Sequence, residues 1–174
     1  MHEILTGRCG STLVVVSVEF RQPPEHRYPA AAEDCYAGLV WTTAHATELR
    51  IGLGMLAIVG ASAGGGLAVA TALMARDRGE PRLRAQVLIY LMLDCRGVTV
   101  SSEQFVGDGI MWDHELNKRS WRRYYAPSNV DSTYKELLFP TVVTDAFCNL
   151  SMANCRDPLH ERFSFISPVY SAAV

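Results

Sequence analysis

The chain has 174 residues, 49% of them hydrophobic, which allows one domain with a buried core and leaves too little for two. Lys and Arg number 16 against 18 Asp and Glu, a net charge of −2 without any basic block, so nucleic acid is not an expected partner. The opening residues MHEILTGRCGS lack a basic stretch leading into an apolar one, and LVVVSV is too short to span a bilayer; no targeting or membrane segment is expected, and the location expected is cytoplasmic.

Thr12 to Phe20, TLVVVSVEF, is a dense β-branched run that suits a strand buried on both faces of a parallel sheet. Pro23, Pro24 and Pro29 stop it, because proline donates no ladder hydrogen bond and restricts the residue before it. From Ala30 to about Leu49 apolar residues recur at helical spacing (Ala31, Cys35, Leu39, Ala46, Leu49), which predicts an amphipathic helix. MLAIVG predicts a second buried strand. An alanine-rich helix begins at Ser62 or Ala63 and runs to about Arg78, where Gly79 and Pro81 end it. RAQVLIYLML predicts a third strand, and the alternation of strand and helix is the pattern of right-handed crossovers on a parallel sheet. Beyond Asp94, EQFVGDGIMWDHELNKRSWRRYY reads as a helical or loop insertion with Trp112, Trp121, Tyr124 and Tyr125 as packing anchors. LFPTVVT reads as a short strand inside an otherwise unassigned stretch, 126–156.

Cys9, Cys35, Cys95, Cys148 and Cys155 are odd in number, widely spread and without C-x-x-C or Cys/His spacing, so reduced thiols are expected, with neither a disulfide framework nor a metal site. Cys35 reads as a core thiol of the first helix.

Gly60-Ala61-Ser62-Ala63-Gly64 satisfies G-x-S-x-G in the context that gives the pattern meaning, after a buried strand and at the opening of a helix. A serine on so tight a turn adopts strained dihedrals, and glycine at 60 and 64 avoids the clashes that side chains would cause. Such a turn presents the hydroxyl at the carboxyl end of the sheet, where open α/β sheets place ligands, with the Ala63 N–H aimed at a developing oxyanion. Ser62 is therefore the candidate nucleophile. Gly60, Gly64 and Gly66 also fit G-x-x-x-G-x-G, which resembles the cofactor turn of short-chain dehydrogenases and gives a NAD(P)-binding alternative. Against it, a strand and a helix precede the loop, and none of the seven tyrosines is followed four residues later by lysine. A Walker loop is excluded because no Gly-Lys-Ser/Thr follows. Independently of function, Gly65 and Gly66 permit close helix–strand packing.

Three stretches, in order, resemble the hormone-sensitive-lipase-like α/β-hydrolases over about residues 11–125. VVVSVEFRQPPEHRYPAAAEDC is similar to that family's strand-turn-helix, GASAGGGLA to its nucleophile elbow, and AQVLIYLMLD to its next strand. Phe20, Gln22, Pro23, Ala61 and Leu91 depart from the usual residues without touching Ser62. The resemblance implies an α/β protein with a partial α/β-hydrolase fold, a mostly parallel sheet of three to four strands flanked by helices. Residues 1–125 would form an incomplete core, and 126–174 a poorly matching tail belonging to a lid or the late core. It also implies a serine carboxylesterase that needs no cofactor and acts on small acyl esters, with Ser62 attacking the carbonyl, a histidine as base and an aspartate orienting that histidine.

The family's His-Gly-Gly-Gly segment has no counterpart, since the five histidines are followed by Glu, Arg, Ala, Glu and Glu. Its base lies downstream in an H-G-F-like loop that this sequence does not reach. DPLHE, Asp157 to Glu161, resembles the stretch that carries the family's aspartate, which makes Asp157 a candidate orienter. The alignment of ISPVYS with an earlier family segment is favoured and leaves Asp157 on the surface; His160 sits too close in sequence to act as its base. His26 reads as part of a turn, and His2, His45 and His114 as surface residues. Loss of the base costs on the order of 10⁶ in turnover, so the expectation is a catalytically incomplete fragment. A family strand that would separate the first two predicted strands is also unaccounted for, so those strands must close up or leave open edges, and the alternative reading is a non-catalytic remnant that self-associates or binds a partner through such edges.

Overall fold

The computed structural model describes residues 4–9, 13–107, 110–125 and 164–168. The described residues fall into two compact units, one within Met1–Met92 and His160–Val174, the other within Leu93–Leu159.

The first unit is a five-stranded sheet covered on one face by two helices. Its strands are β1 (Ile4–Cys9), β2 (Leu13–Val18), β3 (Leu56–Ala61), β4 (Ala85–Ile89) and β5 (Ser164–Pro168), in the spatial order β1-β2-β5-β3-β4. β1 runs antiparallel to β2, whereas β2, β5, β3 and β4 are mutually parallel. In β2 the side chains of Val14, Val16 and Val18 are buried and those between them half-buried, so the strand expected to be buried on both faces has one face against the core.

Helix α1 (Ala30–Ala44) buries Ala31, Cys35, Gly38, Leu39 and Thr42, a three-to-four residue repeat. Gly38 lets α1 press onto β2, because a methyl group there would run into the Val18 side chain. Helix α3 (Ala63–Arg78) buries Gly64, Leu67, Ala68, Thr71 and Ala75 and packs beside α1. Val14, Val16, Val18, Leu39, Ile58, Ala68 and Ala75 together form the core between this helical layer and the sheet. At the carboxyl end of β2, Asp34 of α1, only 5% exposed, receives both the Arg21 backbone N–H at 2.9 Å and a bidentate guanidinium contact at 2.8–2.9 Å. On the outer side of the helices, Arg78 pairs with Glu33 at 2.7 Å and lies 4.3 Å from the centre of the Tyr36 ring.

The structure departs from the sequence expectations in three further places. The first helix stops at Ala44 and resumes only as α2 (Ala46–Leu49), because His45 leaves helical geometry: its ring stacks on Trp41 at 4.2 Å and its Nδ1 meets the Trp41 carbonyl at 2.8 Å. The third predicted strand ends at Ile89, because Tyr90 turns the backbone to φ 37°. The sheet has five described strands instead of three or four, and β2 and β3, expected to close up or to leave open edges, have β5 between them. Ile166 is in register with Val16 on one side and with Ile58 on the other. A partner strand from far along the chain satisfies both edges. LFPTVVT lies outside the described residues.

The second unit holds α4 (Val100–Gln104) and α5 (His114–Tyr124), capped by the Thr99 and Asp113 side chains at Ser102 N–H and Leu116 N–H. Trp121, Tyr124 and Tyr125 pack ring against ring at 5.0–6.0 Å, as anchors should. Trp112 is 40% exposed and donates its indole N–H to Asn117 at 3.3 Å. Asp94 and Arg96 pair at 2.8 Å, and this hydrogen-bonded guanidinium holds the Asp94 carboxyl below the usual carboxylate range. Among the described residues no helix is long and apolar enough to cross a membrane.

Candidate active site

Ser62 stands between β3 and α3 as the single residue of the turn, at φ 54° and ψ −122°. A residue with a Cβ avoids this region of backbone space unless its surroundings hold it there. Four main-chain hydrogen bonds do so. The Ser62 N–H donates to the Ile89 carbonyl at 3.0 Å, and the Ser62 carbonyl accepts from Gly65 at 3.0 Å, Gly66 at 3.2 Å and Met92 at 3.0 Å. Two of these ties come from the last residue of β4 and from the segment just after it, so the turn is clamped from the neighbouring strand's end as well as by its own helix.

The glycines follow from the same crowding. A Cβ on Gly60 would collide with the Gly64 carbonyl and lie 2.7 Å from the Gly65 nitrogen. One on Gly65 would come within 2.6 Å of the Leu91 Cβ, and one on Gly66 would meet the Met92 carbonyl. Glycine at 60 thus serves the turn itself, while Gly65 and Gly66 serve the packing of α3 against residues 91 and 92. That supporting role of Ile89, Leu91 and Met92 was not readable from G-x-S-x-G alone.

The Ser62 side chain is half-buried, and it does not cap its own helix. The N–H of Ala63, first residue of α3, has no acceptor among the described residues and sits at the positive end of the helix dipole. Hydroxyl and donor occupy successive positions at the carboxyl end of the parallel strands, an arrangement able to attack a carbonyl and hold the resulting oxyanion.

Of the three described histidines, two have a ring nitrogen engaged elsewhere. His26 is exposed in the turn after β2. His45 and His114 are half-buried instead of lying on the surface, with Nδ1 against the Trp41 carbonyl and the Ser102 carbonyl respectively, each at 2.8 Å. His2, Asp157 and His160 lie outside the described residues. Cys35 is buried, and neither it nor Cys95 forms a disulfide among the described residues. Burial, and secondarily the Asp34 charge, push the Cys35 thiol up to about 12. Such a thiol is a packing group, not a nucleophile. Among the described residues no three His, Cys, Asp or Glu side chains converge as a metal site.

Residues 3–163 match the family model described as the alpha/beta hydrolase fold. The chain belongs to the α/β-hydrolase family. Its hydrolase relatives include Esterase LipI of Mycobacterium tuberculosis, 44% identical over 81 residues, which are 47% of this chain and 25% of that protein. An arylesterase of Saccharolobus solfataricus is 44% identical over 96 residues, covering 54% and 30%. Ethyl acetate hydrolase of Pseudomonas putida is 32% identical over 155 residues, covering 85% and 47%. Among solved hydrolases, a bacterial heroin esterase superposes with a TM-score of 0.65 at 40% identity, over 70% of this chain and 40% of that one. The hyperthermophilic esterase of Pyrobaculum calidifontis gives 0.66 at 40% identity, over 72% and 42%. This α/β-hydrolase chain therefore spans between a quarter and about half of the length of these relatives. Family membership takes the place of the dinucleotide-binding alternative.

Proposed function

We propose that this chain carries the nucleophile of a serine carboxylic-ester hydrolase for small acyl esters, with Ser62 as nucleophile and the Ala63 N–H as one oxyanion donor. The observation that carries the reading is the strained Ser62 backbone, φ 54°, held by four main-chain hydrogen bonds at the mouth of a parallel sheet. Related proteins named esterase, arylesterase and ethyl acetate hydrolase support an ester substrate.

In the reaction, Ser62 Oγ bonds to the acyl carbon while the carbonyl π pair moves onto oxygen and the hydroxyl proton passes to a base. The Ala63 N–H and the amino end of α3 stabilise that oxyanion. Its collapse expels the alcohol, which takes up a proton, and water then cleaves the acyl-serine to acid and free Ser62. The chain by itself is catalytically incomplete in this reading. No histidine of the 174 residues precedes a Gly-Gly-Gly, and the Nδ1 atoms of His45 and His114 are committed to backbone carbonyls. Asp157 is the residue through which an imidazole would be oriented if DPLHE carries the family's aspartate. Five widely spread cysteines without paired spacing support a reducing, cytoplasmic compartment.

A fluorophosphonate probe followed by peptide mapping tests both parts. Slow labelling confined to Ser62 and abolished by Ser62→Ala is expected. Label on another serine sinks the nucleophile assignment, and rapid stoichiometric labelling of Ser62 sinks the claim of incompleteness.

A further inference from the structure

Three non-glycine residues among those described take positive φ: Arg50, which closes a helix, Ser62 at 54° and Tyr90 at 37°. The last two stand at matching positions. The parallel ladder of β3 with β4 runs from Ala57 beside Ala85 to Ala61 beside Ile89, and one more step along it sets Ser62 beside Tyr90. In a parallel ladder a residue gives its N–H to the residue before its partner and takes the N–H of the residue after that partner. Ser62 keeps the first half of this rule, donating to the Ile89 carbonyl at 3.0 Å. It breaks the second half, because its carbonyl accepts from Met92 at 3.0 Å where Leu91 would be regular. One extra residue therefore lies between the two grips, and the left-handed bend at Tyr90 takes it up. This is a β-bulge, a device rare in parallel pairs and frequent beside active sites, with glycine as the usual left-handed residue.

We propose that Tyr90 is a positioning residue whose bulge aims the Ala63 N–H at the developing oxyanion. The link is a single peptide. The Ser62 carbonyl and the Ala63 N–H belong to one planar trans unit, so they point in opposite directions and can only turn together. Gly65 and Gly66 draw that carbonyl along the axis of α3, at 3.0 and 3.2 Å, whereas the Met92 N–H holds it from outside the helix. Two elements thus fix the peptide, and with it the direction of the Ala63 N–H. The bulge also sets the fit of the same segment on α3, with the Leu91 side chain against Gly65 and the Met92 carbonyl against Gly66. A regular register would shift both of these contacts by one residue. Tyr90 acts through its backbone, and its phenol takes no part. The aim of the Ala63 N–H rests on the hydrolase reading; the bulge does not.

Scalar coupling across hydrogen bonds, read by NMR on the isotopically labelled full chain, tests the bulge, and fluorophosphonate labelling of Ser62 tests its purpose. Coupling is expected between the Met92 nitrogen and the Ser62 carbonyl carbon, and none from the Leu91 nitrogen. Tyr90→Gly and Tyr90→Asn, both at ease in left-handed backbone, should keep that coupling, the Ala63 amide resonance and the labelling rate. Tyr90→Val, whose branched Cβ opposes that backbone, should lose the coupling, move the Ala63 resonance and slow labelling about 10²-fold, the lower end for a lost oxyanion donor. Coupling from Leu91 in the parent chain, its loss from Met92 in Tyr90→Gly, or an unchanged resonance and rate in Tyr90→Val would each overturn the proposal. If Tyr90→Val does not fold, the parent chain and the Gly and Asn variants decide by the same coupling. A parent chain that never labels at Ser62 counts against the hydrolase reading instead, and the Met92 coupling with the Ala63 resonance then decides the positioning alone.

Discussion

Gly60 and Gly64 meet across the Ser62 turn so closely that a methyl group on the first would overlap the carbonyl of the second. The obstacle is main chain, so no rotamer change can make room. Gly60→Ala is expected to destabilise the protein by about 1–3 kcal/mol. At about 2–4 °C per kcal/mol for a chain of this size, the loss is visible in thermal unfolding followed by circular dichroism. An unchanged midpoint would show that glycine at 60 is incidental.

Ser62 itself holds strain that glycine would not. Its φ of 54° lies where residues with a Cβ are rare, and such conformations cost on the order of 1–3 kcal/mol. Part of that gain is lost to the extra unfolded-state entropy of glycine, roughly 0.5–1 kcal/mol. Ser62→Gly is expected to raise stability by about 1 kcal/mol, whereas Ser62→Ala leaves it nearly unchanged. Urea titration of both variants separates strain from side-chain effects. Equal midpoints for the two would mean that the turn stores nothing.

Cys35 should be silent to thiol reagents in the folded state, while half-buried Cys95 reacts. Cys35 is held near 12 against an ordinary 9.0, so the folded chain keeps its proton where the unfolded chain has lost it. The resulting stability is fully present below 9.0 and is lost as pH rises toward about 12. Cys35→Ala is expected to flatten this alkaline decline. Iodoacetamide labelling with peptide mapping, with and without denaturant, gives the direct check; modification of Cys35 without unfolding would contradict its burial.

β5 is the bridge of the sheet, since β2 and β3 each pair with it and the described ladders join them nowhere else. Ile166→Pro removes a donor from the strand that both share. The expected result is faster hydrogen exchange along β2 and β3 together, with the β3–β4 ladder losing less. Exchange rates that stay as in the parent protein would place β5 outside the sheet.

Local pattern was enough for the parts of the fold in which sequence neighbours are also structural neighbours. The β-branched run at β2, the alanine-rich α3 and the Gly60–Gly64 turn each follow from residues a few positions apart. What stayed hidden depends on distant residues. β5 is short, and its place between β2 and β3 is set by two edges that need a partner, not by any periodicity of its own. The break at His45 comes from one ring stacking on Trp41, which no helix propensity encodes. Around Ser62, the serine and its glycines were legible, but the clamp by Ile89 and Met92 was not, because it uses main-chain atoms at the end of the next strand and just beyond it. Leu91, which read only as a departure from the family's usual residue, turns out to abut Gly65.

The pairing of Val16 with Ile166 also sets the order of events during synthesis. A ribosome releases β2, α1, β3, α3 and β4 long before it has made the strand that belongs among them, so the nascent chain must wait with two unsatisfied inner edges. Contacts of such sequence separation are slow to close. The interval before residue 168 emerges is therefore the one in which a chaperone would matter most to this protein.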